Sequence, residues 1–87
     1  MIMELKTLFE QAVADSKNLP EKPGNNILLQ LYAFYKQSVE GDVNIDAPSS
    51  PFDFVAKAKY SAWEEIKGKS KEDAMREYID LVTKLKG

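Results

Sequence analysis

The stretch Asn25-Asn26-Ile27-Leu28-Leu29-Gln30-Leu31-Tyr32-Ala33-Phe34-Tyr35-Lys36-Gln37-Ser38-Val39-Glu40 decides the fold. Its apolar residues recur at steps of three and four, which is a helical and not a strand period. Ile27, Leu28, Leu31, Tyr32, Phe34, Tyr35 and Val39 cover an arc of roughly 160° at about 100° per residue. Leu29 falls outside that arc and widens the apolar surface to roughly 220°. A helix that only lies on a core needs about 100°. This helix therefore either touches two neighbours, or has one flank on a core and the other on an apolar ligand.

Turn residues bound the segment and its neighbours. Pro20, Pro23 and Gly24 precede it, Gly41, Pro48, Ser49, Ser50 and Pro51 follow it, and Gly68 marks a third break. Before it, about residues 3 to 17, Leu5, Leu8, Phe9, Ala12 and Val13 fall on one side of a helix. After it, Asp53 is a plausible N-cap and Gly68 a C-cap. The stripe between them is Val55, Ala58, Ala62, Trp63 and Ile66. A last helix begins at Ser70, with Asp73 three residues on as a variant capping box. Its stripe is Ala74, Met75, Tyr78, Ile79, Leu81, Val82 and Leu85, and its charged residues keep mainly to the other face.

Four helices in 87 residues make a small all-α bundle. The first and third connections are short, which predicts that their helices are antiparallel neighbours. The second, about residues 41 to 52, is long enough to cross the bundle, so helices two and three can run parallel. It carries Val43, Ile45 and Phe52, expected to pack the loop.

Composition narrows the chemistry. There is no cysteine and no histidine, which excludes disulfides, thiolate sites, cysteine nucleophiles, the usual serine triad and most zinc sites. Twelve basic residues face fourteen acidic ones, a poor footing for a nucleic-acid binder. The start, Met1-Ile2-Met3-Glu4-Leu5-Lys6, lacks the apolar run of a signal peptide, and no stretch approaches the ~18 apolar residues of a membrane span. A cytoplasmic protein that does not span a membrane is expected.

Some lysines and tyrosines stand in odd places. Counting from Val55 on the third helix, Ile66 lies at roughly 20°, Lys59 at roughly 40° and Trp63 at roughly 80°. Lys59 thus projects from the middle of an apolar stripe. Either its stem packs while its head reaches water, or the head meets an anion in a cleft. Lys36 lies one turn after Tyr32 and next to Tyr35, Lys17 borders the first stripe, and Tyr78 is central in the fourth. Lysines supply charge to phosphates; tyrosine rings supply flat faces for a base and a hydroxyl for hydrogen bonding. Together they suit an anionic nucleotide joined to an apolar group.

Against that background, Tyr32-Ala33-Phe34-Tyr35-Lys36-Gln37-Ser38-Val39-Glu40-Gly41-Asp42-Val43-Asn44 resembles the second-helix signature of acyl-CoA-binding proteins, also called diazepam-binding inhibitor. Lys57-Ala58-Lys59-Tyr60-Ser61-Ala62-Trp63 and Lys67-Gly68-Lys69-Ser70 resemble the third helix and its turn, and Ala74-Met75-Arg76-Glu77-Tyr78-Ile79-Asp80-Leu81-Val82 the fourth. The resemblance covers nearly the whole chain in one order. It implies an up-down-down-up four-helix bundle, a single acyl-CoA-binding domain over residues 1–87, and a carrier of medium- and long-chain fatty acyl-CoA that does no chemistry on it. It implies no cofactor, a monomer, and transient contact with enzymes that use acyl-CoA or with membranes.

Carried over position by position, the resemblance implies that Tyr32 and Lys36 contact the CoA head group, with Ala33, Phe34 and Tyr35 in the same binding stretch. Lys59 and Lys17 match lysines of the site, Tyr78 a tyrosine that closes it, and Leu29 an acyl-chain contact. There are departures. Val55 and Ala47 replace frequent basic residues, Tyr60 replaces a usual tryptophan, and Ser49-Ser50-Pro51-Phe52 is one residue longer than the common loop. The rival reading is a helical protein-interaction module without a small ligand, the odd lysines being rim contacts. An enzyme is disfavoured: Glu64, Glu65 and Asp73 read as solvated or capping carboxylates, and no nucleophile stands with a base.

Overall fold

Local capping chemistry sets three of the helix ends. In the computed structural model, Asp53 accepts a hydrogen bond from the Ala56 amide at 3.0 Å, and Ser70 one from the Asp73 amide at 3.1 Å. Each satisfies a first-turn donor that the helix itself leaves unpaired. Gly41 closes the second helix at φ +82°, a conformation strained for any residue with a Cβ, and its amide donates to the Gln37 carbonyl. The helices are α1 (Ile2–Ser16), α2 (Asn25–Glu40), α3 (Phe54–Glu65) and α4 (Lys71–Lys86). Residues 2–50 and 52–87 are described, residues 2 and 3 by backbone alone. The signal-peptide reading at Met1 and the loop reading at Pro51 lie outside the described residues. Among the described residues there is no strand, and no helix is long and apolar enough to cross a membrane.

Side-chain neighbours give the helix directions. Along α2 and α3, Leu28 and Leu29 stand beside Val55 and Ala58, Tyr32 beside Lys59, and Gln37 beside Trp63. Both numbers rise together, so α2 and α3 are parallel. Along α2 and α4, Gly41 lies by Lys71, Tyr35 by Tyr78, and Gln30 by Lys84. Those two are antiparallel. Along α1 and α4, Lys6 lies near Lys71, Ser16 on Tyr78, and Asp15 on Lys86, so they are parallel. The order is up-down-down-up, as the resemblance implies.

The neighbour relations differ from the expectation drawn from loop length. Backbone contacts within 8 Å link α1 to α4, α4 to α2 and α2 to α3; among the described residues none link α1 to α2 or α3 to α4. The last helix inserts between the first and second, and short connections make those pairs antiparallel without making them neighbours. The core is Phe9 and Ala12 of α1, Leu31 of α2, and Tyr78 and Val82 of α4. Leu8, placed on the core side by periodicity, is 56% exposed; α1 packs its backbone closely on α4 and reaches α2 through Phe9, which leaves Leu8 uncovered. Val55 is likewise exposed and not core, and of Val43, Ile45 and Phe52 only Val43 is half-buried.

A second node ties the far end together. Trp63 is fully buried and its indole N–H reaches Gln37 Oε1 at 3.1 Å and the Gly41 carbonyl at 2.9 Å. Gln37 Nε2 donates to Asp42 Oδ1 and to the Lys69 carbonyl. Asp42 Oδ1 also accepts from the Gly68 amide at 2.7 Å. That amide and the Gln37 donor hold the Asp42 carboxyl below the usual aspartate range. Its folded pKa being below its unfolded one, the carboxylate stabilises the native state above the ordinary aspartate value and loses that effect as pH falls through the folded value. Asp42→Asn is thus expected to melt below the wild type near neutral pH, with the gap closing on acidification in thermal melts. A gap that does not change with pH would contradict this role.

Candidate ligand-binding site

The face of α2 that is not spent on the core is the starting point. At about 100° per residue, Leu28, Tyr32, Tyr35, Lys36 and Val39 share an arc of roughly 100°, turned away from Leu31 and Ser38. Leu28, Tyr35 and Val39 remain exposed, and Tyr32 and Lys36 are half-buried. The neighbours of α2 supply the two sides of this face. On the α3 side, the Lys59 ammonium sits 5.3 Å from the centroid of the Tyr32 ring, and the Lys36 ammonium 5.1 Å from that of the Trp63 ring. On the α1 side, Phe9 stacks on Tyr35 at 6.0 Å between centroids. The result is an open bowl with α2 as its floor and α1 and α3 as its rims.

Tyr78 closes the α1 side from beneath. Its ring meets Phe9 edge-on at 5.2 Å and lies 6.4 Å from Tyr35. Its hydroxyl donates to Ser16 Oγ at 3.1 Å, and Ser16 in turn donates to the Val13 carbonyl at 2.7 Å. Burial pushes the phenol pKa up, so it remains a neutral donor. Ser16 is followed by Lys17, which is exposed at the end of α1.

The cations differ in what already holds them. Lys36 forms an ion pair with Glu40 one turn on, which raises the lysine pKa and lowers that of the glutamate. An anion arriving at Lys36 competes with that carboxylate. Lys59 makes no ion pair among the described residues and rests on an aromatic face, a weaker hold. Its head is exposed; the expected cleft is an open face, and its stem borders the groove described next.

Beside Lys59, between the first turns of α2 and α3, runs an apolar groove of about 430 Å³. Leu28 and Leu29 line it from α2, and Phe54, Val55 and Ala58 from α3. The structure thus gathers Leu29, Tyr32, Tyr35, Lys36 and Lys59 along one side of α2, with Tyr78 buried against Tyr35 and Lys17 next in sequence to Ser16, the partner of the Tyr78 hydroxyl. It does not bring Ala33 and Phe34 there. Ala33 is buried, and both line a depression between α2 and α3 that also takes in Ala62 and Ile66. Consecutive helical residues diverge by about 100°, so one stretch cannot present all its members to one face.

Sequence reasoning missed Phe9 and Trp63 as the supports of Tyr35 and Lys36, and Leu28, Phe54 and Val55 as groove walls. Phe54 follows the N-cap directly, which places it on the first turn of α3, where a lone neighbouring helix leaves it uncovered.

Such a surface can hold an anion on its lysines, a planar ring on its tyrosines and a chain of methylenes in its groove. Comparisons with known proteins agree with that chemistry. Residues 6–82 match the family model described as acyl CoA binding protein. The chain is 47% identical to the acyl-CoA-binding protein of Dictyostelium discoideum over 79 residues, 91% of this chain and 93% of that one. It is 46% identical over 77 residues to enoyl-CoA delta isomerase 2 of Rattus norvegicus, 88% of this chain but 19% of that protein. The crystal structure of acyl-CoA-binding protein 2 of Oryza sativa superposes with a TM-score of 0.90 at 38% identity, covering 95% of this chain and 89% of that one.

Proposed function

The chain belongs to the acyl-CoA-binding protein family, and from that premise we propose that its open bowl carries a fatty acyl-CoA ester. The protein is a carrier for medium- to long-chain acyl-CoA. Residues 1–87 act as a single domain. Lys59, Lys36 and Lys17 neutralise the phosphates, the 3′-phosphate above all. Tyr32 or Tyr35 lies against the adenine, and Tyr78 supports that ring from below. The acyl chain lies in the groove that begins at Leu29.

The observation that carries this reading is the juxtaposition at Lys59. One side chain rests on the ring of Tyr32 and also borders the apolar groove. A ligand placed there is anionic and aromatic at one end and apolar at the other. The carrier does no chemistry, a reading supported by the lack of histidine and cysteine and by a surface of lysines, tyrosines and aliphatic groups. It acts as a monomer in the cytoplasm and touches acyl-CoA-using enzymes or membranes only in passing. This reading assigns it no nucleic-acid partner and no cofactor.

The test is a calorimetric titration with palmitoyl-CoA. Losing a charge-assisted contact costs about 1.5–3 kcal/mol. Lys59→Ala should therefore weaken binding by about tenfold or more. Lys84→Ala, on an exposed part of α4, should change it by less than about twofold. Equal losses would mean that Lys59 is an ordinary solvated lysine.

A further inference from the structure

We propose that Glu40 is an internal competitor for the head-group phosphates: it holds Lys36, yields it to an arriving ester, and so keeps the carrier's grip on that ester below what its lysines alone would give. The inference rests on the acyl-CoA reading and adds to it a positioning residue, which acts on the ligand through Lys36.

Three observations converge. First, Glu40 is badly placed as a stabilising contact. It is the last residue of α2, where the negative end of the helix dipole disfavours a carboxylate, and no basic residue stands in that turn to offset it. The pair with Lys36 also runs from lysine to glutamate along the chain, the weaker of the two i,i+4 orders. Helix stability therefore gives little reason for a glutamate here.

Second, the carboxylate is nevertheless fixed. Asn44, in the loop that follows α2, donates its side-chain amide to Glu40 Oε1 at 3.2 Å, while Oε2 takes the Lys36 ammonium. The two oxygens are used separately. Asn44 thus keeps the carboxylate in place when Lys36 turns to another anion, ready to take the lysine back.

Third, the guarded lysine is the one on the floor of the bowl. Its ammonium lies over the Trp63 ring, on the same arc of α2 as Tyr32 and Tyr35. Lys59, on the α3 side, rests on Tyr32 and has no carboxylate partner among the described residues. A phosphate reaches Lys59 unopposed. At Lys36 it must displace Glu40 or share one cation with a second anion, and either outcome weakens binding. The side chains are open to water, so the penalty is screened and modest.

Palmitoyl-CoA is titrated calorimetrically into the wild type, Glu40→Gln, Lys36→Met, the double variant Lys36→Met/Glu40→Gln, and Glu64→Gln. The last makes the same change of charge on an exposed part of α3. Glu40→Gln should bind the ester about two- to fivefold more tightly than the wild type. Lys36→Met keeps the stem and removes the charge; in that background Glu40→Gln should change the affinity by less than about 1.5-fold. Glu64→Gln should follow the wild type. In thermal melts Glu40→Gln should melt no lower than the wild type, because relief at the helix end offsets the lost pair. A helix brace predicts the reverse, a lower melt with unchanged binding, and that result overturns the proposal. So does an equal gain with and without the Lys36 charge, or an equal gain in Glu64→Gln, since either makes the effect one of net charge. These outcomes leave the acyl-CoA reading standing. A wild type that does not bind palmitoyl-CoA overturns that reading, and the role of Glu40 with it.

Discussion

Trp63→Ala is expected to remove about 4 kcal/mol of folding stability, a large share of the 5–15 kcal/mol typical of a small domain. Trp63 is the largest fully buried side chain and the main anchor of α3, which has no backbone contact with any helix but α2. Truncation leaves a cavity and strips the donor from Gln37 Oε1 and from the Gly41 carbonyl. Buried acceptors left without a donor cost about 1–3 kcal/mol each, less where water enters. Trp63→Phe separates the contributions. It keeps most of the packing, loses only the indole N–H, and should cost about 2 kcal/mol. Gln37→Leu should cost a similar amount, because it also orphans the Lys69 carbonyl. Urea denaturation of the three variants reads these losses. A Trp63→Ala loss below about 1 kcal/mol would mean that α3 is held by something other than this node. Losing the node also removes the ring beneath Lys36, so any Trp63→Ala protein that folds should bind its ligand more weakly.

Much of the fold is legible because it is local. The bounds of α2 follow from one uninterrupted apolar period between Gly24 and Gly41, and the starts of α3 and α4 from Asp53 and Ser70. What is not legible is long-range. Gln37 and Ser38 are buried, yet nothing near them in sequence announces it. The partners of Gln37 lie 26 and 32 residues away, at Trp63 and Lys69. A helical period shows which residues share a face but not how far a neighbour covers it. That is why Leu8 and Val55 read as core: α1 and α3 each have one helix at close backbone range, too little to enclose a whole stripe. Helix adjacency was hidden for a related reason. Loop length constrains the distance between two helix ends, while α4, last in the chain, takes the space between α1 and α2.

The site divides in the same way. Tyr32, Lys36 and Lys59 stand out by residue type against an apolar period, and the structure gathers them. The Lys36–Glu40 pair is visible as an i,i+4 spacing, but only the structure shows Lys36 engaged with it and with Trp63 at once. Ala33 and Phe34 entered through adjacency to Tyr32 alone, and the turn of the helix carries them elsewhere. Phe54 and Val55 interrupt no pattern, since an exposed apolar residue on a short helix looks the same on paper as a buried one.

The other large effect concerns the ligand and not the fold. The lysines hold the head group by charge-assisted contacts at an open face, each contributing about 1.5 kcal/mol. The groove removes methylenes from water at up to ~0.8 kcal/mol each, so a chain of about sixteen carbons offers on the order of ten kcal/mol before ordering costs. Most of the affinity must then come from the chain and the orientation from the head. Even if only half of that survives, free CoA should bind on the order of a thousandfold more weakly than palmitoyl-CoA. Palmitate has the chain but no phosphates for Lys36 and Lys59, and should also bind well below the ester. Calorimetric titration of palmitoyl-CoA, CoA and palmitate into the same protein is the direct measurement. Tight binding of the ester alone is the predicted result; CoA and palmitoyl-CoA binding equally well would contradict the account.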